Sequence, residues 1–297
     1  SLGELLKREK FGPGFCEDHL LPMGAAIWST PVEKFMAYPA KTFLRFCDNH
    51  GLLQVNERPQ WQTVIGGSRE YVKRISNSFN GDIRLNCGIN KVHRFPDHVV
   101  LTDNKGDKHR FDHVVMASHA DQSLAMLDDA NADEKRLLGA FAYEQNNAVL
   151  HRDERLMPVL GEVWSSWNYL ADSKQQGSKV SVSYWMNSLQ HLPCHEQLIV
   201  TLNPLRKPRN HLVYQEFSYQ HPVFDEAALN AQKHLWSLQG TQRTWFCGSY
   251  FGYGFHEDGI QSGLAVAEQL GGALRPWTAD NASGRICLPQ NHLHAAA

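Results

Sequence analysis

The stretch from Trp245 to Gly263 reads Trp-Phe-Cys-Gly-Ser-Tyr-Phe-Gly-Tyr-Gly-Phe-His-Glu-Asp-Gly-Ile-Gln-Ser-Gly, and it concentrates residues whose types and spacing could do chemistry. An apolar run ends at Cys247, and Gly248 lets the backbone turn sharply or pass close to a bulky group. Gly252 and Gly254 keep the next loop bare. Asp258 is a good helix N-cap, followed by Ile260, Leu264, Ala267 and Leu270 at helical spacing. Gly259, Ser262 and Gly263 are all small, so a flat ligand could lie against this helix start. The amides and dipole there favour partial negative charge on that ligand. The same spacing also suits an ordinary glycine-rich turn that caps a core helix.

Other residues offer proton transfer or shape. His256 could serve as a base, and a structural histidine bonded within the loop explains it equally well. Tyr253, Trp28 and His119 are further candidates to face a ligand. Trp164, Trp167, Tyr169, Tyr184 and Trp185 either wall an apolar tunnel or fill a core. His191 with Cys194 and His195, and His292 with His294, fit no standard zinc spacing, so no metal centre is expected. Six cysteines without a CxxC pair read as free thiols.

Elements of two periods must position these groups. A helix start is expected at Thr30-Pro31, and a helix over Ala40 to His50 carries Phe43, Phe46 and Cys47 on one face. Gly66-Gly67-Ser68 leads into a helix with Tyr71, Val72, Ile75 and Phe79 on one face. The period then changes to short strands at Ile89 to Phe95, His98 to Thr102 and Lys108 to Phe111. His113 to Ala117 suits a strand buried on both faces. Asp133 to Phe141 and Asp225 to Leu238 read as helices, Val180 to Met186 and Leu212 to Tyr219 as extended, and Thr244 to Cys247 as a strand. Ala295 to Ala297 reads as a frayed end.

The 297 residues, 42% of them hydrophobic, suffice for one sizeable core or two smaller ones. A net charge of −2 and the lack of a basic run argue against a nucleic-acid partner. No run approaches the roughly 18–20 apolar residues of a membrane span. The charged amphipathic stretch Ser1 to Lys10 lacks a signal-peptide core, so a cytoplasmic protein is expected, with peripheral membrane contact possible.

From Phe246 to Gly263 the chain resembles the C-terminal flavin-binding motif of the amine oxidase, protoporphyrinogen oxidase and phytoene desaturase superfamily. Further stretches resemble its bacterial NAD/FAD-binding, amine-oxidase-like branch. These are Leu21 to Ser29, Arg58 to Trp61, Gly66 to Ser68, Ala117 to Gln122, Trp164 to Tyr169, Tyr184 to Asn187 and Gly254 to Gly259. The resemblance covers nearly the whole chain. It implies a mixed α/β fold, with an incomplete Rossmann-like FAD-binding domain (63–118 and 243–297) interleaved with a sheet-plus-helix substrate domain (1–62 and 119–242). It also implies that a GxGxxG unit expected upstream of such a chain is absent here, so that the chain binds FAD weakly or not at all.

By the same resemblance Gly248, Ser249, Asp258, Gly259 and Ile260 contact the flavin. Ser249 stands where relatives often carry an acidic residue. Gly66, Gly67 and Ser68 lie near the flavin ring or the domain crossover, or form a plain helix N-cap; Val92 lies near the adenine, or is simply core; Ala117 lies at a strand end beside the cofactor. His256 and Tyr253 are the catalytic candidates; Trp28, His119, Trp167 and Tyr184 are the substrate candidates. The implied activity is FAD-dependent oxidation of a C–N or C–C bond by hydride transfer. The fusion of a related domain to plant cyclopropane fatty acid synthases favours a lipid-like small molecule. A truncated or degenerate module that binds a lipid or protein partner is the alternative, and a histidine-based metal hydrolase is a distant third.

Overall fold

Ser1 starts the first helix, Leu2–Arg8, by accepting from the Glu4 amide, while the Glu4 carboxylate reaches back to the Ser1 amine. This reciprocal cap satisfies amides that any helix start leaves open. The computed structural model describes residues 1–28, 32–54, 56–57, 60–170, 181–272, 274–279 and 282–289. Thr30-Pro31, Arg58-Pro59, Val180, His292, His294 and Ala295 to Ala297 lie outside the described residues. By its contacts the chain divides into two compact units, Ser1–Gly81 with Glu144–His221, and Asp82–Tyr143 with Pro222–Ala297.

The first unit joins helices to a five-stranded sheet. Leu21–Trp28, Val32–Met36 and Ala40–Asn49 are short helices. Trp28, Phe35, Tyr38, Phe43 and Phe46 are all buried, and the Trp28 ring lies 4.7 Å from Phe46 and 5.1 Å from Tyr38. Edge-on and tilted rings at such distances gain from their quadrupoles as well as from burial. The sheet order is Trp167–Leu170, Ser181–Trp185, Ile199–Leu202, Ala142–His151, Val213–Val223. Its first four strands pair antiparallel.

A directed hydrogen-bond chain crosses the middle of that sheet. The Asp153 amide donates to His151 Nδ1 at 3.0 Å, so Nε2 carries the ring proton and donates to Thr201 Oγ1 at 2.7 Å. Thr201 then donates to Ser183 Oγ at 2.8 Å, and Ser183 to the Leu156 carbonyl at 2.7 Å. All three side chains are buried. Burial holds the His151 imidazole below its ordinary value, against the opposing pull of the nearby Asp153 carboxylate.

In the second unit a three-stranded antiparallel meander, Ile89–Arg94, Val99–Asp103 and Lys108–Phe111, precedes the short strand Val114–Met116. Arg94, wholly buried, donates to both carboxylate oxygens of buried Glu134 at 2.5 and 3.0 Å and to Asp129 at 2.8 Å. Glu134 also accepts from the Asn131 amide, and Asn131 caps the helix Ala132–Leu138. The charge is therefore fully answered, and this bonding ties the meander to that helix.

Several boundaries differ from those read in the sequence. Residues 63–81 pack with the first unit, where Gln190 Nε2 donates to Thr63 Oγ1 at 3.2 Å. Residues 119–143 and 222–242 pack with the second. There the helix Ala120–Met126 meets the first meander strand, and Glu226–Gln232 packs on Ala132–Leu138. The helix expected to run unbroken from Asp225 to Leu238 ends at Gln232. The Gln232 amide turns inward to the carbonyls of Tyr250 and Gly252, and a 3-10 turn, Leu235–Leu238, follows. Among the described residues no helix is long and apolar enough to cross a membrane.

The His151 chain sets a pH dependence. With the folded value depressed, the unfolded chain binds the extra proton first. Stability contributed by His151 is therefore full above about pH 6.5 and lost as pH falls below it. Denaturant midpoints should drop between pH 7 and 5.5. His151→Gln should be less stable at pH 7 yet show a shallower drop; an unchanged slope would rule the chain out as its source.

Candidate functional site

Thr244–Phe246 pairs parallel with Val114–Met116, residue 244 opposite 114 and 246 opposite 116. The Cys247 amide extends the ladder to the Met116 carbonyl at 3.0 Å. Because the strands run the same way, both carboxyl ends open at one edge, where ligands of open α/β sheets bind. Ala117 and Ser118 leave one strand there, and Gly248 leaves the other. A cavity of about 610 Å³ runs along the strand Val114–Met116, lined by Val92, Leu101, Val115, Met116, Ala117 and Ser118 among others, and by no residue of the Gly248–Gly263 turn. Val92, buried, and Ala117, exposed, both line it.

Gly248 has φ +152°, and a Cβ there would lie 2.8 Å from the Tyr250 ring and 3.8 Å from the Ser118 carbonyl. No side chain fits without displacing Tyr250. Ser262 staples the turn: its Oγ accepts from the Gly248 amide at 3.0 Å and lies 3.1 Å from the Gly248 and Gly259 carbonyls. Ser249 opens a short 3-10 turn whose carbonyl accepts from Gly252 and Gly254.

The helix that follows is His256–Gln269 and its N-cap is Phe255, which replaces Asp258 in the expected role. Asp258 sits one turn in. Its Oδ2 accepts from the Phe255 amide at 2.8 Å, and its Oδ1 from Arg285 Nε at 2.7 Å. Arg285 Nη2 lies 3.2 Å from Oδ2, and the Arg285 amide donates to Gln261. The guanidinium also stands 5.2 Å over the Tyr253 ring. The buried Asp258 carboxylate is thus spent on the protein's own groups, so it shapes the loop rather than reaching a ligand.

The residues fit a flavin edge on two observations. Phe255 supplies no side-chain acceptor for the first turn, so the helix presents its positive end outward. Gly259 leaves only the Ser249 nitrogen, at 3.9 Å, within reach of an added Cβ. Ile260 is half exposed and His256 exposed at the same helix start.

Two neighbours stay uncharged. Burial pushes the Cys247 thiol up to about 11 and the Tyr143 hydroxyl up to about 12. Tyr143 accepts from the Ala120 amide at 3.0 Å and stacks on His119, with ring centres 4.4 Å apart.

The other expected site residues belong to the first unit. Gly66 and Gly67, both at φ +83°, and Ser68 precede the helix Arg69–Ser78; Ser68 makes no side-chain cap. Trp28 lies inside the aromatic core, which removes it as a ligand wall. Trp167 is exposed, with Trp61 edge-on at 6.3 Å and Tyr184 at 5.9 Å. The sequence does not mark Ser118, Tyr250, Ser262 or Arg285 as site residues. Ser262 was visible only as a small residue, and nothing local marks Arg285, 27 residues beyond its partner.

The Asp258–Arg285 pair is asymmetric in burial, with side chains 0% and 19% exposed. Arg285→Ala strands a buried carboxylate and should cost about 3–5 kcal/mol. Asp258→Asn leaves Arg285 able to turn toward water and should cost about 1–2 kcal/mol. Thermal unfolding of both variants checks the order; equal losses would contradict it.

The family model for flavin-containing amine oxidoreductases matches residues 18–188, a stretch that ends before the glycine turn. Comparison with curated proteins finds no match. Among solved structures, the CLA-producing fatty acid isomerase from P. acnes has a TM-score of 0.62 at 12% identity, covering 91% of this chain and 66% of that one. Reduced UDP-galactopyranose mutase gives 0.58 at 12% over 97% and 71%. Cyclohexylamine oxidase from Brevibacterium oxydans IH-35A gives 0.55 at 10% over 91% and 68%. The chain thus spans just under two thirds of the first of these, and the likenesses establish its fold. FAD is the cofactor that goes with this family and fold. The family model covers more than half of the chain, and the chain belongs to the flavin-containing amine oxidoreductases.

Proposed function

We propose that this chain supplies the flavin-facing turn of an FAD-dependent oxidoreductase that removes hydride from a C–N or C–C bond. The observation that carries the reading is the convergence of Ala117, Ser118, Gly248 and the helix start at Gly259 around one parallel-strand edge. FAD, when bound, supplies the hydride acceptor. The helix dipole at Phe255–Gly259 would favour negative charge at the cofactor edge laid against it. Ser262 and the Asp258–Arg285 pair hold that turn in one shape, which spares reorganisation during reaction. His256, the first residue of its helix, is our candidate for accepting a substrate proton, with Tyr253 in the loop just before it. Ser249, Ile260 and Val92, all of the second unit, complete the proposed cofactor contacts.

We assign the substrate a lipid-like, apolar character. The exposed Trp61–Trp167–Tyr184 row supports this, with Tyr184 itself half-buried. His119, stacked flat on Tyr143, is the remaining substrate candidate. The fatty acid isomerase shows that one protein of this fold acts on such a molecule.

Gly259→Leu tests the site. Cβ atoms tilt toward a helix N-terminus, so a leucine at 259 covers the first turn. Leucine also favours helix over glycine by roughly 0.5–1 kcal/mol. The variant should keep its melting temperature and lose FAD affinity tenfold or more in an absorbance titration. FAD binding by the wild type thus departs from the expectation of weak or absent binding: equal binding by both proteins, or no binding by either, would contradict the proposal. His256→Gln should lower kcat/KM about a hundredfold while leaving FAD affinity unchanged; a retained kcat/KM excludes it as the proton acceptor.

A further inference from the structure

The meander of the second unit carries a cluster that the flavin reading leaves unused. Cys87 Sγ lies 3.6 Å from Asp103 Oδ2, and His109 Nε2 lies 3.0 Å from the same oxygen. The three donor atoms are all within 4.8 Å of one another, and among the described residues no other group of three His, Cys, Asp or Glu side chains comes so close. A tetrahedral zinc with bonds of about 2.0–2.3 Å needs ligand atoms roughly 3.3–3.6 Å apart, so small side-chain rotations suffice.

The backbone fixes all three. Asp103 ends one strand, and its Oδ1 accepts from the Lys105 and Asp107 amides across the hairpin turn, which aims Oδ2 away from that turn. His109 lies on the returning strand, where it pairs with Leu101. The Asn104 amide donates to the Gly88 carbonyl at 2.8 Å and holds the turn that carries Cys87. Asp103 is buried, whereas Cys87 and His109 are partly open to solvent, so an ion has a way in.

We propose that Cys87, Asp103 and His109 bind a divalent transition metal of the zinc type, with solvent in the fourth position. A thiolate, a carboxylate and an imidazole form a donor set suited to zinc, and their two negative charges match the ion. Binding releases the thiol proton to solvent. The imidazole proton moves from Nε2 to Nδ1, away from the metal. Arg84, which now donates to Nδ1 at 3.3 Å, is exposed, also reaches Asp82, and swings off. The ion would staple the Cys87 turn to the hairpin, a structural role separate from the proposed flavin site. The spacing of 16 and 6 residues between the ligands matches no zinc signature, which is why the sequence carries no sign of it.

Cobalt(II) is the probe. Titrated into the full 297-residue protein, it should raise a near-ultraviolet thiolate-to-cobalt charge-transfer band that saturates at one equivalent and collapses when zinc is added. Cys87→Ser should abolish the band, and His109→Gln should weaken cobalt binding tenfold or more; both leave the Asp103 turn intact. Zinc should raise the melting temperature of the wild type and not of Cys87→Ser. A wild type without the band, or a band that persists in Cys87→Ser through another thiol, overturns the assignment. None of these readouts involves flavin, so this proposal and the flavin reading fail separately.

Discussion

Three residues of parallel pairing, Thr244–Phe246 against Val114–Met116, organise the candidate site. The paired strands are about 130 residues apart in sequence, and parallel strands can meet only through a long crossover. Once they do, their carboxyl ends must open together. That places Gly248 against Ser118, and the cavity lined by Val92 and Ala117 runs along the Val114–Met116 strand. Phe246, Tyr250 and Phe251 are buried beneath the turn, so the turn rests on packed rings. Each large ring so buried contributes about 1.5–3 kcal/mol.

The polar groups around the turn divide into those that hold it and those that remain for a ligand. Ser262, Gln232 and the Asp258–Arg285 pair satisfy carbonyls and amides within the protein. What they leave is a helix start without an N-cap acceptor and a glycine where a side chain would stand. An edge of a flat conjugated ring that gains negative charge suits that remainder better than a metal or a bulky cation does. The neutral Cys247 and Tyr143 add no competing charge.

The sequence is most legible where the pattern is local. The Ala40–Asn49 helix, the meander and the strand before Gly248 all lie within two or three residues of where periodicity puts them. Gly248 and Gly259 are recognisable because glycine is forced wherever a backbone must turn or a face must stay bare. Contacts between distant segments are less legible. Asp258 looks like an N-cap because its type and place allow it, and only the arrival of Arg285 shows that its carboxylate is used otherwise. Trp28 looks exposed to a ligand until Phe35, Tyr38 and Phe46 close around it. The division into units shifts for the same reason, since residues 119–143 and 222–242 are placed by packing on the meander and on each other.

Amide hydrogen exchange of the protein with and without FAD tests the central claim most directly. The account predicts slower exchange over residues 246–260 and 114–120 when FAD is present, and unchanged exchange in the Asp153–Thr201 sheet network. Slowing confined to other segments, or none at saturating FAD, would contradict it.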